Sequence, residues 1–310
     1  MLNSELIKQK ARAYGADLVG IGDISRFDGV QPFQDPRLIL PRAKSLIGLA
    51  LRIPAGTFQG IENRSQFYSL THFGIKSTAE EMMIILLLKM ARVIEDAGYE
   101  AVLQRDMPNL RYKDDWGINP EVAKTTTVQD SWPVLPEKPA PDVMIDFRQA
   151  AAICGLGRVG RSGSILTKEY GPLQRFSFII TNAPLQADPE MAAGICDDCL
   201  ACARACPGRA IGSQPDETGR DDYQCSVYYR GAHQSNPFQS ADFLIGWPER
   251  DQILQGAKRF TREEALQIQA EMDFLPNTRY RYVPCLCGRL CDMACYRHLH
   301  PKNNPRRIDE

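Results

Sequence analysis

The stretch Cys196-Asp-Asp-Cys199-Leu-Ala-Cys202-Ala-Arg-Ala-Cys206-Pro207 limits what this chain can fold into more than any other. In the spacing C-x2-C-x2-C-x3-C-P, three close thiolates wrap one 4Fe–4S cubane, and the fourth, ahead of proline, reaches across to a second. A cubane presents its irons at tetrahedral corners, so a tight loop entering a helix can offer sulfurs from several directions. Pro207 then ends that helix and turns the chain away. Zinc favours separated Cys pairs with a longer spacer, and four Cys this close fit it poorly.

Two cubanes take four thiolates each. The chain carries ten Cys, nine of them from Cys196 onward. The distal group is Cys285-Leu-Cys287-Gly-Arg-Leu-Cys291-Asp-Met-Ala-Cys295. In two-cluster folds the close triplet of one motif is completed by the last Cys of the other. That rule assigns Cys196, Cys199, Cys202 and Cys295 to a first cluster. The second takes Cys206, Cys291 and two of Cys225, Cys285 and Cys287; Cys225 with Cys287 is the favoured choice, leaving Cys285 spare. The distal spacing is wider than C-x2-C-x3-C, and Tyr296 stands where proline is expected. A single cluster with leftover packed thiols is the alternative, and Cys154 is expected in the core.

With 310 residues there is room for one large domain or two unequal ones. A hydrophobic share of 44% and a charged share of 24% suit a globular chain. A net charge of -1 gives no bulk attraction to nucleic acid or anionic lipid. The amino terminus has no basic region followed by an apolar core, so a cytoplasmic location is expected, where thiols serve as ligands rather than disulfides. The run Met82–Leu88 is too short to span a membrane and reads as a core helix, flanked by Glu80, Glu81 and Lys89.

Periodicity predicts a helix from Ser4 to Tyr14, strands at Asp17–Gly22, Lys44–Leu51 and Tyr99–Gln104, and a helix that a Ser77-Thr-Ala-Glu80 capping box starts and Gly98 ends. This alternation argues for α/β layers. Asp106 to Pro141, polar with six prolines, reads as a lid or pocket wall. Asp146–Cys154 reads as a helix, Ser177–Thr181 as a strand, Asp221–Gly231 as the segment carrying Cys225, and Thr261-Arg-Glu-Glu264 as the cap of another helix. Gly155-Leu-Gly157-Arg-Val-Gly160 spells G-x-G-x-x-G, but it follows a helix, and no acidic residue ends a strand at the required distance. Its glycines would instead let backbone approach something flat or bulky, with Arg158 and Arg161 facing anionic groups.

The opening ELIKQKARAYGADLVGIGDISRF, the central DFRQAAAICGLGRVGRSGSILTKEYGPLQRFSFIITNAPL and both Cys groups resemble the epoxyqueuosine reductase and reductive dehalogenase superfamily. EYGPLQRF leans toward its dehalogenase-like members. The resemblance implies a nitroreductase-like α/β domain holding a corrinoid (residues 1–185), then a ferredoxin-like domain with two 4Fe–4S clusters (residues 186–310). It places Gly155, Gly157, Arg158 and Gly160 against the cofactor. It points to Asp142, beside Pro141, or to Tyr112 as proton donor, with Asp146 and Tyr68 as further candidates. It implies a low-potential ferredoxin or flavodoxin as electron donor and a small organic or modified-nucleoside substrate. No counterpart of the helical-repeat extension with which some members hold tRNA is expected, and charge does not indicate tRNA. Asp197 and Asp198 are expected to add negative charge beside the first cluster and lower its potential. The other class consistent with these residues is a corrinoid-free two-cluster carrier serving a partner enzyme, with an empty or flavin-filled pocket.

Overall fold

The computed structural model describes residues 2–105, 135, 143–212, 219–236, 241–272 and 286–301. Helix α1 (Ser4–Ala13) begins where the Asn3 side chain accepts the Leu6 amide, and it buries Ile7 and Ala11. Strands β1 (Leu18–Asp23) and β2 (Ser45–Arg52) follow and pair antiparallel, with Ile21 opposite Ile47. Helix α2 (Met83–Glu95) leads to strand β3 (Ala101–Arg105). After α3 (Phe147–Ile153), a small hairpin of β4 (Arg158–Val159) and β5 (Ile165–Leu166) precedes β6 (Gln174–Thr181). The main sheet runs β1-β2-β6-β3, antiparallel throughout.

Nearly every residue of β2 is buried, because both faces of the sheet are covered. Alternation along the strand sorts its side chains. Ile47, Leu49 and Leu51 join α1 and α2 residues such as Ile7, Met83 and Met90 on one face. Leu46 and Ala50 join Phe27, Ala150, Ile153 and Phe178 on the other. The chain is therefore mixed α/β and layered, as the alternation of elements predicts.

The capping box at Ser77–Glu80 does not start a helix. The helix already runs from Leu70, in wide π-type turns over Leu70–Met82, before tightening into α2. Thr78 donates its hydroxyl to the Phe73 carbonyl at 2.5 Å instead of capping. Ser77 thus lies inside a longer helical run, where local capping chemistry is overridden by packing of Leu70 against Ile53 and Phe58.

The rest is helical: α4 (Ala201–Ala205), α5 (Asp222–Tyr229), α6 (Arg250–Leu254), α7 (Arg262–Met272) and α8 (Leu290–Leu299). Val227, Tyr228, Ile253, Ala265 and Ile268 form their own core. Met293 of α8 packs with Ile53, Phe58, Leu70 and Leu173, which ties the last helix to the sheet's edge. Among the described residues no helix is long and apolar enough to cross a membrane.

Candidate metal centre

Two segments distant along the chain meet here. Helices α4 and α8 pack together, and α8 brings Cys291 and Cys295 up to the Cys196–Cys206 loop. Asp198 and Leu200 take left-handed backbone (φ 56° and 60°), which curls the loop, and the Asp197 carboxylate accepts the Cys199 amide at 3.2 Å. Cys196, Cys199, Cys202 and Cys295 then line one pocket, with Leu166 and Leu299 as apolar wall.

The thiols' electrostatics divide them the same way. Burial pushes the Cys295 thiol up to about 12, and the neighbouring Cys202, Cys196 and Cys199 add to the shift. Cys202 is raised by burial, then by Cys196 and Cys199. In the other group burial raises Cys206, with Cys287 next to it. It takes Cys225 up to about 12 against the pull of Arg220, with Cys287 and Cys206 adding. Cys291 is raised by burial, by Asp292 and by Cys287, with Cys225 also contributing. Cys206, Cys225, Cys287 and Cys291 thus influence one another, and Cys206 and Cys291 also pack against the cluster that holds Cys202. Crowded, buried thiols resist ionisation on their own, but a coordinated metal deprotonates them outright.

Asp197 and Asp198 both line the first pocket. Asp198 accepts from Arg161 Nε at 2.9 Å, and that Arg side chain is only 6% exposed. Asp197 sits 2.6 Å from His298 Nε2. The His298 contact lowers the Asp197 carboxyl below its ordinary value. Each carboxylate has a nitrogen partner, and Asp198 also stands 3.9 Å from the Cys196 thiol. Asp197, Cys199 and His298 also bring their ligand atoms within 4.8 Å of one another.

Asp146 caps α3 by accepting the Arg148 and Gln149 amides, so the glycine turn follows a helix. Its glycines admit close backbone packing. Gly155 has φ 70°, and a Cβ there would lie 2.4 Å from the Pro189 carbonyl oxygen. At Gly157 a Cβ would lie 2.6 Å from the Leu166 carbonyl oxygen, and at Gly160 it would lie 2.5 Å from Leu166 Cδ1 and 3.5 Å from Cys196 Cβ. Arg158 donates to the Met191 carbonyl at 3.2 Å and to that of Ala192. The turn thereby draws the chain ahead of Cys196 under the β4–β5 hairpin.

Sequence reasoning passed over one group, Asp292. It is 2% exposed, accepts the Ser164 hydroxyl at 2.8 Å and the Arg289 Nε at 2.5 Å, and neighbours thiols of both groups. Its position beside Cys291 in the distal motif was the available signal. Cys154 is buried, its thiol 3.6 Å from the Leu46 carbonyl. Tyr68, a further proton-donor candidate, is 51% exposed and edge-on to His72. Arg297 of α8 pairs with Glu62. Tyr112, Asp142 and Cys285 lie outside the described residues.

No family model matches the chain. It is 40% identical over 68 residues to tetrachloroethene reductive dehalogenase of Sulfurospirillum multivorans, covering 21% of this chain and 14% of that one. It is 34% identical over 95 residues to epoxyqueuosine reductase of Synechocystis sp., covering 30% of this chain and 32% of the relative. Each match spans less than two thirds of the curated relative's length. A catabolic reductive dehalogenase solved with 3-bromo-4-hydroxybenzoic acid superposes with TM-score 0.52 at 17% identity, over 94% of this chain and 38% of the other. These local matches make the chain similar to epoxyqueuosine reductases and reductive dehalogenases, and it shares its fold with the solved dehalogenase.

Proposed function

We propose that this chain is an iron–sulfur oxidoreductase with two 4Fe–4S clusters and a corrinoid site. The observation that carries the proposal is the gathering of Cys196, Cys199, Cys202 and Cys295, from distant segments, around a single pocket. On this reading Cys196, Cys199, Cys202 and Cys295 hold the first cluster, and Cys206, Cys225, Cys287 and Cys291 the second. Residues 1–185 form the nitroreductase-like cofactor and substrate domain and residues 186–310 the ferredoxin-like one. When bound, the clusters supply one-electron transfer and the corrinoid a low-potential cobalt for reducing a small organic or modified-nucleoside substrate.

The chain's own residues supply position and dryness. Cys291 and Cys295 lie about one turn apart on α8, so one rigid helix sets the spacing of both thiol groups. Leu166 and Leu299 give the first group an apolar wall, which strengthens electrostatic interactions on that side. Arg161 clamps the loop through Asp198 and reaches the Gly212 carbonyl at 3.4 Å. Gly155, Gly157, Arg158 and Gly160 fold the turn that leads into this loop, on the side proposed to meet the corrinoid. Asp142 and Tyr112 are the proposed proton donors. The proposed electron donor is a low-potential ferredoxin or flavodoxin-type protein in the cytoplasm.

The test is anaerobic reconstitution with iron and sulfide, followed by metal analysis and EPR of the reduced protein. We expect about eight irons per chain, with Cys202→Ser losing one cluster signal and Cys225→Ser the other. Zinc, or near-absence of sulfide, would overturn the reading. Adding cob(II)alamin then separates the two function classes. A base-off signal at full occupancy supports the corrinoid enzyme; unchanged base-on cobalamin makes the chain a corrinoid-free electron carrier.

A further inference from the structure

The helical run that ends in α2 is apolar on two sides. Met83, Leu86, Leu87 and Met90 face inward and are fully or nearly buried in the sheet's core. Met82, Ile85 and Leu88 point the other way and are 56%, 55% and 46% exposed. A surface helix ordinarily turns one apolar stripe to its own core and a polar face to water. An outward stripe of large side chains marks a surface that another molecule covers.

The order of residues on that stripe identifies the molecule. About Ile85 the outward face reads as a palindrome: Met82 and Leu88 stand three positions either side, and Glu81 and Lys89 four positions either side. Glu81 and Lys89 are both exposed, the latter with its ammonium 5.4 Å from the Tyr14 ring centroid. A two-fold axis through Ile85, perpendicular to the helix, would set a second copy antiparallel to the first. Met82 of each copy would then meet Leu88 of the other, Ile85 would meet itself, and each Glu81 would face a Lys89. A two-fold interface must be self-complementary in this sense, with residue i meeting j and j meeting i. An unrelated partner imposes no such symmetry.

We infer that this outward face of α2 is the contact between two copies of the chain in an isologous homodimer. The inference is independent of the cofactor assignment and goes beyond it.

Sedimentation velocity of the full chain over a dilution series tests this, with iron content and circular dichroism as checks on folding. The unaltered chain should form dimers that dissociate on dilution, and Ile85→Glu should be monomeric at the same concentrations. Glu81→Lys and Lys89→Glu should each weaken association by about three- to tenfold, since each converts two attractive pairs into two repulsive ones. Mixing these two charge variants should restore association. In the mixed dimer the two introduced charges face one another with opposite signs at one end, and the unaltered Lys89 and Glu81 do so at the other. A chain that is monomeric throughout would overturn the inference. So would a dimer that Ile85→Glu leaves intact, or charge variants that gain nothing on mixing.

Discussion

Asp292 is 2% exposed, so solvent shields it little, and its charge raises thiols of both groups, Cys291 and Cys295. Arg289 opposes it from one side and the Ser164 hydroxyl fixes it from the other. Net charge near a cluster sets its potential, so the pair should act in opposite senses. Asp292→Asn should move both midpoints to less negative values and Arg289→Gln to more negative ones, read by potentiometric EPR titration. A purely structural pair would instead cost cluster content in both variants and move neither potential in a sign-dependent way. Gly157 works by space alone. Gly157→Ala places a Cβ 2.6 Å from the Leu166 carbonyl oxygen, and because backbone must shift to admit it, about 1–3 kcal/mol of stability should be lost in chemical denaturation. Close approach at Gly157 was legible in the glycine-rich turn, though not that its neighbour is the chain's own Leu166; Asp292's role was not. The motif showed where thiols stand along the chain, whereas Asp292's burial depends on a hairpin too short to leave a periodic signal.

At the level of elements, helix and strand signals fared according to how local their causes are. α1 and β2 follow from an Asn cap and from an apolar run, and both occupy their predicted positions within a residue or two. Two capping boxes had different outcomes. Thr261 and Glu264 form a reciprocal box, with the Thr261 amide 2.8 Å from the Glu264 carboxylate and the Glu264 amide 3.3 Å from the Thr261 hydroxyl. Ser77–Glu80 does not, because a helix was already under way. The antiparallel strand order was also out of reach, since β6 enters between β2 and β3 through contacts distant in sequence. Thr261→Ala should cost about 1 kcal/mol, measured by urea unfolding. The Glu264 carboxyl is held below its ordinary 4.5 by the Thr261 amide and by Lys258. A lowered folded value means that the box's contribution is complete above pH 4.5 and fades as pH falls through that lower value. The stability difference between Glu264→Ala and the unaltered chain should therefore shrink in acid.

Across the whole molecule, α8 is the common fastener. It presents thiols to both groups, packs Met293 into a core with Ile53, Phe58 and Leu173, and pairs Arg297 with Glu62. Ligand binding by thiols that are scattered in the unfolded chain adds to folding stability. The reconstituted protein should therefore melt at a higher temperature than the metal-free form, and Met293→Ala should lower both melting points. Equal melting of loaded and metal-free protein would show that the thiol groups do not hold the last helix in place.

That fastener is also the latest of these parts to be synthesised. A ribosome makes Cys196, Cys199, Cys202 and Cys206 well before Cys291 and Cys295 emerge, so each sulfur cup stays open on one side while the intervening chain is being translated. During that interval the exposed thiols are vulnerable to oxygen and to wrong partners. Slow translation in air should accordingly yield more mispaired protein than fast translation under nitrogen.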